Sequence, residues 1–93
     1  MYYVYIMTNT FNSTLYVGMT NDLRRRVTEH RTNRNPDSFT AKYHAHKLVW
    51  FEQTKSVYSA ISREKQIKDW SRKKKLDLIL DTNPSFVDLY PTL

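Results

Sequence analysis

At 93 residues the chain has room for one domain with a small core and not for two. It has no cysteine, which excludes disulfides, thiolate chemistry and cysteine zinc sites, and no apolar run approaches the length of a bilayer-spanning helix. The formal charge of +6 accompanies seven tyrosines, a combination that suits nucleic acid but also an ordinary solubilising basic surface.

The opening residues, MYYVYIM, lack the basic flank and cleavage site of a secretory signal, so a cytoplasmic location is expected. Residues 2–8 are β-branched and aromatic and predict a strand. Alternation places Tyr3, Tyr5 and Met7 on one face and Tyr2, Val4 and Ile6 on the other. The turn-forming NTFNS cluster leads into a second strand over 14–19, and the short connection implies an antiparallel hairpin.

Asn21 or Asp22 can cap a helix running to about Thr32. The polar stretch 33–46, with Pro36, reads as a loop, and KLVWFEQ (47–53) as a third strand. Ser56 can cap a second helix to about Trp70. Ser71 can cap a third with Leu76, Ile79 and Leu80 on one side, ended by Asn83 and Pro84. The expected class is α+β: a small three-stranded antiparallel sheet flanked by helices, in the order β-β-α-β-α-α. The domain is expected over 1–83, with a tail over 84–93 that either packs irregularly or frays.

Some polar residues fall where apolar ones belong. On the first helix Leu23 and Val27 form the apolar stripe, Arg24 and Arg25 point away, and Arg26 shares an adjacent face with His30, four residues on. Either Arg26 snorkels at a core edge beside a satisfied core histidine, or the two belong to a site. On the second helix Val57, Ala60 and Ile61 mark the buried stripe, with Ile67 near its edge, and Glu64 falls inside it. A carboxylate there needs an ion pair, with Lys68 or Arg26, or a metal. Tyr5 and Tyr16 sit mid-strand, where they serve either cross-strand packing or a site, and Gly18, on the face of Tyr16, marks either a bulge or a close approach. The third helix opens SRKKK, and cations there oppose the helix dipole. Either the face is simply solvated, or an anion such as phosphate offsets the charge.

In this order, the residues resemble the GIY-YIG nuclease superfamily, and its small stand-alone bacterial branch in particular. Tyr3-Val4-Tyr5 stands where the first signature has glycine-isoleucine-tyrosine, and Tyr16-Val17-Gly18 nearly matches the second. Arg26, His30 and Glu64 fit the family's ordered arginine, histidine and glutamate, and Asn83 loosely fits a late asparagine. The resemblance covers nearly the whole chain. It departs at Tyr3, which replaces a glycine, and no second domain of the kind that selects DNA in larger relatives is expected within these 93 residues.

The resemblance implies a metal-dependent endonuclease that hydrolyses phosphodiester bonds, with repair or processing as settings. Glu64 would hold Mg²⁺ or Mn²⁺, Arg26 would stabilise the phosphate, and Tyr5 and Tyr16 would act on the attacking water, Tyr5 as base and Tyr16 as its positioning partner. His30 would relay a proton or hold a phosphate. Arg24, Arg25, Arg72, Lys73, Lys74 and Lys75 would grip the backbone of DNA, ahead of RNA, and Gly18 and Asn83 would support the site. A monomer or a weak homodimer is expected. Two other readings stay open: a nucleic-acid-binding module without cleavage, and a protein-interaction domain. The last predicts that the candidate residues lie scattered in space.

Overall fold

The computed structural model describes residues 1–32 and 38–93. Strand β1 (Tyr2–Thr8) lies at the centre of a three-stranded antiparallel sheet, between β2 (Leu15–Thr20) and β3 (Lys47–Thr54). The helices are α1 (Leu23–Arg31), α2 (Phe39–Lys42), α3 (Val57–Lys68) and α4 (Arg72–Thr82), and a 3-10 turn follows at Tyr90–Thr92. The α+β class and the expected order of strands and longer helices hold. The exception is α2, a single helical turn within the stretch read as loop; residues 33–37 of that stretch, Pro36 included, lie outside the described residues.

Local signals account for the boundaries. The Asp22 carboxylate accepts the amide of Arg25 at 3.1 Å, the Ser56 hydroxyl that of Ser59 at 3.3 Å, and the Ser71 hydroxyl that of Lys74 at 3.2 Å. Each satisfies an amide that the first helical turn cannot. The β1–β2 turn is pinned by the Asn9 side chain, which donates to the Ser13 hydroxyl at 2.7 Å and accepts the Ser13 amide at 2.8 Å. Asn12 takes a left-handed conformation there, with φ of 55°. Asparagine tolerates this better than most residues.

Strand alternation divides the core into two layers. Val4, Ile6 and Val17 pack with Val49, Trp50, Ala60, Ile67 and Ile79, which places α3 and α4 on one face of the sheet. Tyr5 and Met7 pack with Leu23, Val27, Ala45 and Leu48, which places α1 on the other. Between Ile6 and Met7 the register with β3 slips by one residue, since Ile6 pairs with Trp50 and Met7 with Leu48. The extra residue, Val49, lets Val49 and Trp50 both join the α3 face, which strict alternation forbids.

Two helical stripes differ from expectation. On α3 the buried positions are Ala60 and Ile67, while Ile61 is 37% exposed. Glu64 still falls in phase between Ala60 and Ile67. The stripe has turned toward Ile67, because α3 packs across all three strands rather than along one groove. On α4 Ile79 is buried but Leu80 is 43% exposed, and the buried line continues to Asn83.

The segment after α4 is packed. The Asn83 amide donates to the carbonyls of Val49 at 3.0 Å and Val87 at 2.8 Å, and its oxygen accepts the Val87 amide at 3.0 Å. The Asp88 carboxylate accepts the amides of Leu48 and Tyr90, each at 3.1 Å, and pairs with Arg31. Leu89, Tyr90 and Leu93 then cover the α1-side core. Residues 83–93 thus strap α1 to β3.

Candidate active site

The site forms on the α1 face, where strand alternation and helical phase meet. Tyr5 on β1 pairs with Gly18 on β2, and Tyr16 stands two residues from Gly18 on the same face. Leu23, Val27 and His30 form the buried line of α1, so His30 is driven against the sheet as part of the apolar stripe. The three rings meet. Tyr5 and Tyr16 centroids lie 6.2 Å apart, Tyr5 and His30 5.9 Å, and Tyr16 and His30 5.4 Å. The Tyr5 hydroxyl lies 2.9 Å from Nε2 of His30, a direct hydrogen bond.

Gly18 makes this cluster possible. A Cβ there would sit 2.6 Å from the Tyr5 hydroxyl oxygen and 2.9 Å from Cε2 of Tyr16, so any side chain displaces both rings.

Tyr5 is fully buried, and Tyr16 is half-exposed. Burial, followed by the neighbouring Tyr16, holds the Tyr5 hydroxyl well above the ordinary tyrosine range, so it stays a phenol at neutral pH. Burial, with the Arg26 charge second, depresses His30 to about 4, so its imidazole is neutral. With a phenol and a neutral ring, the Tyr5 O–H donates and Nε2 accepts in the tautomer that carries the ring proton on Nδ1.

Arg26 forms the open side. Its side chain is 46% exposed, with Glu29 3.8 Å away as a loose ion pair. Contact with the Tyr5 hydroxyl raises the arginine's own pKa and partly offsets the rise on Tyr5. The guanidinium therefore caps the buried tyrosine and still reaches solvent.

Glu64 comes from α3, on the far face of the sheet, yet its charge acts on Tyr5. Its side chain is 19% exposed and pairs with Lys68 at 3.7 Å, too long for a good hydrogen bond. Among the described residues there is no cluster of three histidine, aspartate or glutamate side chains placed to hold a metal. A metal at Glu64 would draw on that carboxylate with few other protein groups. Such a donor set fits a hard cation that keeps its waters and takes phosphate oxygens, as Mg²⁺ does.

The remaining candidates are more dispersed. Arg24 and Arg25 are exposed on the outer side of α1, with Arg24 donating to the Leu93 carbonyl at 2.9 Å. At the start of α4, Arg72 donates to the Asn12 carbonyl at 2.8 Å, Lys73 pairs with Asp77 at 3.2 Å, and Lys74 lies 4.5 Å over the Trp70 ring. Lys75 is half-buried. Asn83 does not join the cluster: both its amide hydrogens and its oxygen are used to bind β3 and the strap. Sequence reasoning missed Asp88 and Tyr90. Their partners Arg31 and Thr28 lie on α1, and the Tyr90 hydroxyl lies 2.8 Å from that of Thr28. They thereby hold the helix that carries Arg26 and His30, and the Asp-x-Tyr turn was the single local hint.

Comparison with known proteins matches residues 1–77 to the GIY-YIG catalytic domain. A UPF0213 protein of Syntrophus aciditrophicus is 38% identical over 77 residues, covering 83% of this chain and 87% of its own. Another, from Clostridium perfringens, is 39% identical over 79 residues, covering 85% and 83%. The solution structure of a UPF0213 protein from Bacillus halodurans superposes with a TM-score of 0.59 at 27% identity, over 95% of this chain and 93% of that one. Among the described residues no helix is long and apolar enough to cross a membrane. With a catalytic-domain match over most of its length and relatives that it covers almost end to end, this chain belongs to the GIY-YIG family of nuclease domains, which act on nucleic acid.

Proposed function

We propose that the chain is an endonuclease that hydrolyses phosphodiester bonds in DNA, with Tyr5, Tyr16, Arg26, His30 and Glu64 as its working residues. The observation that carries this reading is the hydrogen bond between the Tyr5 hydroxyl and a neutral, buried His30 beneath an exposed arginine. A binding module has no use for such a pair, nor for a carboxylate among phosphates that it repels.

Arg26 is the group that meets substrate first. Its planar fork matches two phosphate oxygens and stabilises the charge that builds there. In moving onto phosphate it uncovers the Tyr5 oxygen, which then accepts a proton from the attacking water. The Tyr5 proton passes at the same time to Nε2 of His30, so no free phenolate forms. Engaging Arg26 with phosphate also weakens the positive field that depresses His30, which makes the imidazole a better acceptor when substrate is bound. Tyr16, half-exposed beside both rings, orients the water. Glu64 would hold Mg²⁺ or Mn²⁺, which when bound supplies Lewis-acid stabilisation of the departing oxygen.

The test is cleavage of labelled single-stranded, branched and duplex DNA in Mg²⁺ or Mn²⁺. Arg26→Ala and Glu64→Ala are each expected to lower the rate by about 10²–10³-fold, the scale of losing one charge-stabilising group. Both should keep wild-type circular dichroism. Equal rates in the variants would assign the cleavage to a contaminant, and binding without cleavage on every substrate would favour the binding-module reading.

A further inference from the structure

The tip of the β1–β2 turn carries a feature outside the site. Phe11 is 86% exposed, the most exposed large hydrophobic side chain among the described residues. A single exposed apolar residue ordinarily needs no explanation. Three observations set this one apart.

The first is rigidity. The Asn9 side chain bonds twice to Ser13, the Asn12 amide donates to the Asn9 carbonyl at 3.1 Å, and the Thr8 hydroxyl donates to the Thr14 carbonyl at 2.7 Å. The turn also tolerates a buried Asn12 Oδ1 with no partner, a cost borne by its shape. Phe11 is thus displayed on a fixed support. The second is charge. Arg72 clamps the turn through the Asn12 carbonyl, which brings it against the helix start that carries Arg72, Lys73, Lys74 and Lys75. On its other side Thr10 lines a pocket of about 330 Å³ with Arg31, His44, His46, Lys47 and Asp88, in which cationic and histidine side chains outnumber the one carboxylate. The third is position. Tyr16 lies close to the same turn, since its neighbour Leu15 pairs with Thr8 in the last rung of the hairpin.

We propose that this turn is a base-stacking platform: Phe11 stacks on an unpaired base of the bound strand while the flanking cations hold its phosphates, so that substrates with unpaired bases near the cut are preferred. A rigid aromatic flanked by cations is the combination by which proteins hold single strands without reading sequence. The tip lies roughly 10 Å along the hairpin from Tyr16, which spans about three stacked nucleotides. The proposal rests on the nucleic-acid reading above and adds the structural state of the substrate.

The experiment measures binding of the full chain to a short fluorescent single-stranded DNA and to the fully paired duplex of the same sequence, by anisotropy without divalent metal. Phe11→Ala is expected to weaken single-strand binding on the order of tenfold and duplex binding by less than about twofold, with an unchanged salt dependence. Phe11→Trp should restore the single-strand affinity. The side chain is exposed, so neither variant should alter the melting curve. Unchanged single-strand binding in Phe11→Ala, or an equal loss on both DNAs, overturns the platform and leaves the nucleic-acid reading standing. If the wild-type protein binds neither DNA at low salt, both readings fall.

Discussion

The two faces of the sheet are built from the same three strands and do opposite things. Toward α3 and α4, Val4, Ile6, Val17, Ala60, Ile67 and Ile79 close an apolar layer. Toward α1, the next residues along the same strands bury a tyrosine hydroxyl and an imidazole beside Leu23 and Val27. Burying two polar groups is tolerable because each satisfies the other. Even so, an apolar pair would cost less to desolvate. The difference teaches where stability and chemistry reside: the α3 face holds the fold together, and the α1 face spends part of that stability on a paired hydroxyl and imidazole.

The largest expected effect that breaks this comparison is on the apolar side. Ile67→Ala empties a fully buried position and should lower unfolding free energy by about 2–5 kcal/mol in urea titration. The same measurement on Arg26→Ala, whose side chain is half in solvent, should change stability by less than about 1 kcal/mol.

A smaller effect sharpens the comparison through pH. His30 sits near 4 when folded and near 6.5 when unfolded, so between these values the unfolded chain binds the extra proton. Stability from this group is complete above about 6.5 and is lost as pH falls toward 4, with a slope on the order of 1 kcal/mol per pH unit. The protonated ring can no longer accept from Tyr5, so in the same window the bond reverses and Nε2–H donates to the phenol oxygen. Urea titrations at pH 4.5 and 7 should therefore differ more for wild type than for His30→Gln, and equal differences would remove His30 as the source.

Much of the site was legible because it follows the two simple periodicities. Alternation put Tyr5, Tyr16 and Gly18 on one face, and helical phase separated Arg26 and His30 from Arg24 and Arg25. Glu64 was visible as a carboxylate in an apolar stripe, although the stripe itself turned from Ile61 toward Ile67. What was not legible depends on contacts between distant segments. The extra residue at Val49 shifts the phase of half of β3 without any glycine or proline to mark it. Asp88 acts through Leu48 and Arg31, forty or more positions away. Asn83, read as a site asparagine, is consumed by backbone partners that no local pattern specifies.

The relay itself is tested most directly by cleavage rates of Tyr5→Phe, His30→Gln and the double variant, each checked for native circular dichroism. If the two residues pass one proton, each single change lowers the rate by about 10²-fold, and the double variant is no slower than the slower single one. Losses that multiply in the double variant, or a wild-type rate in either single variant, would contradict the account.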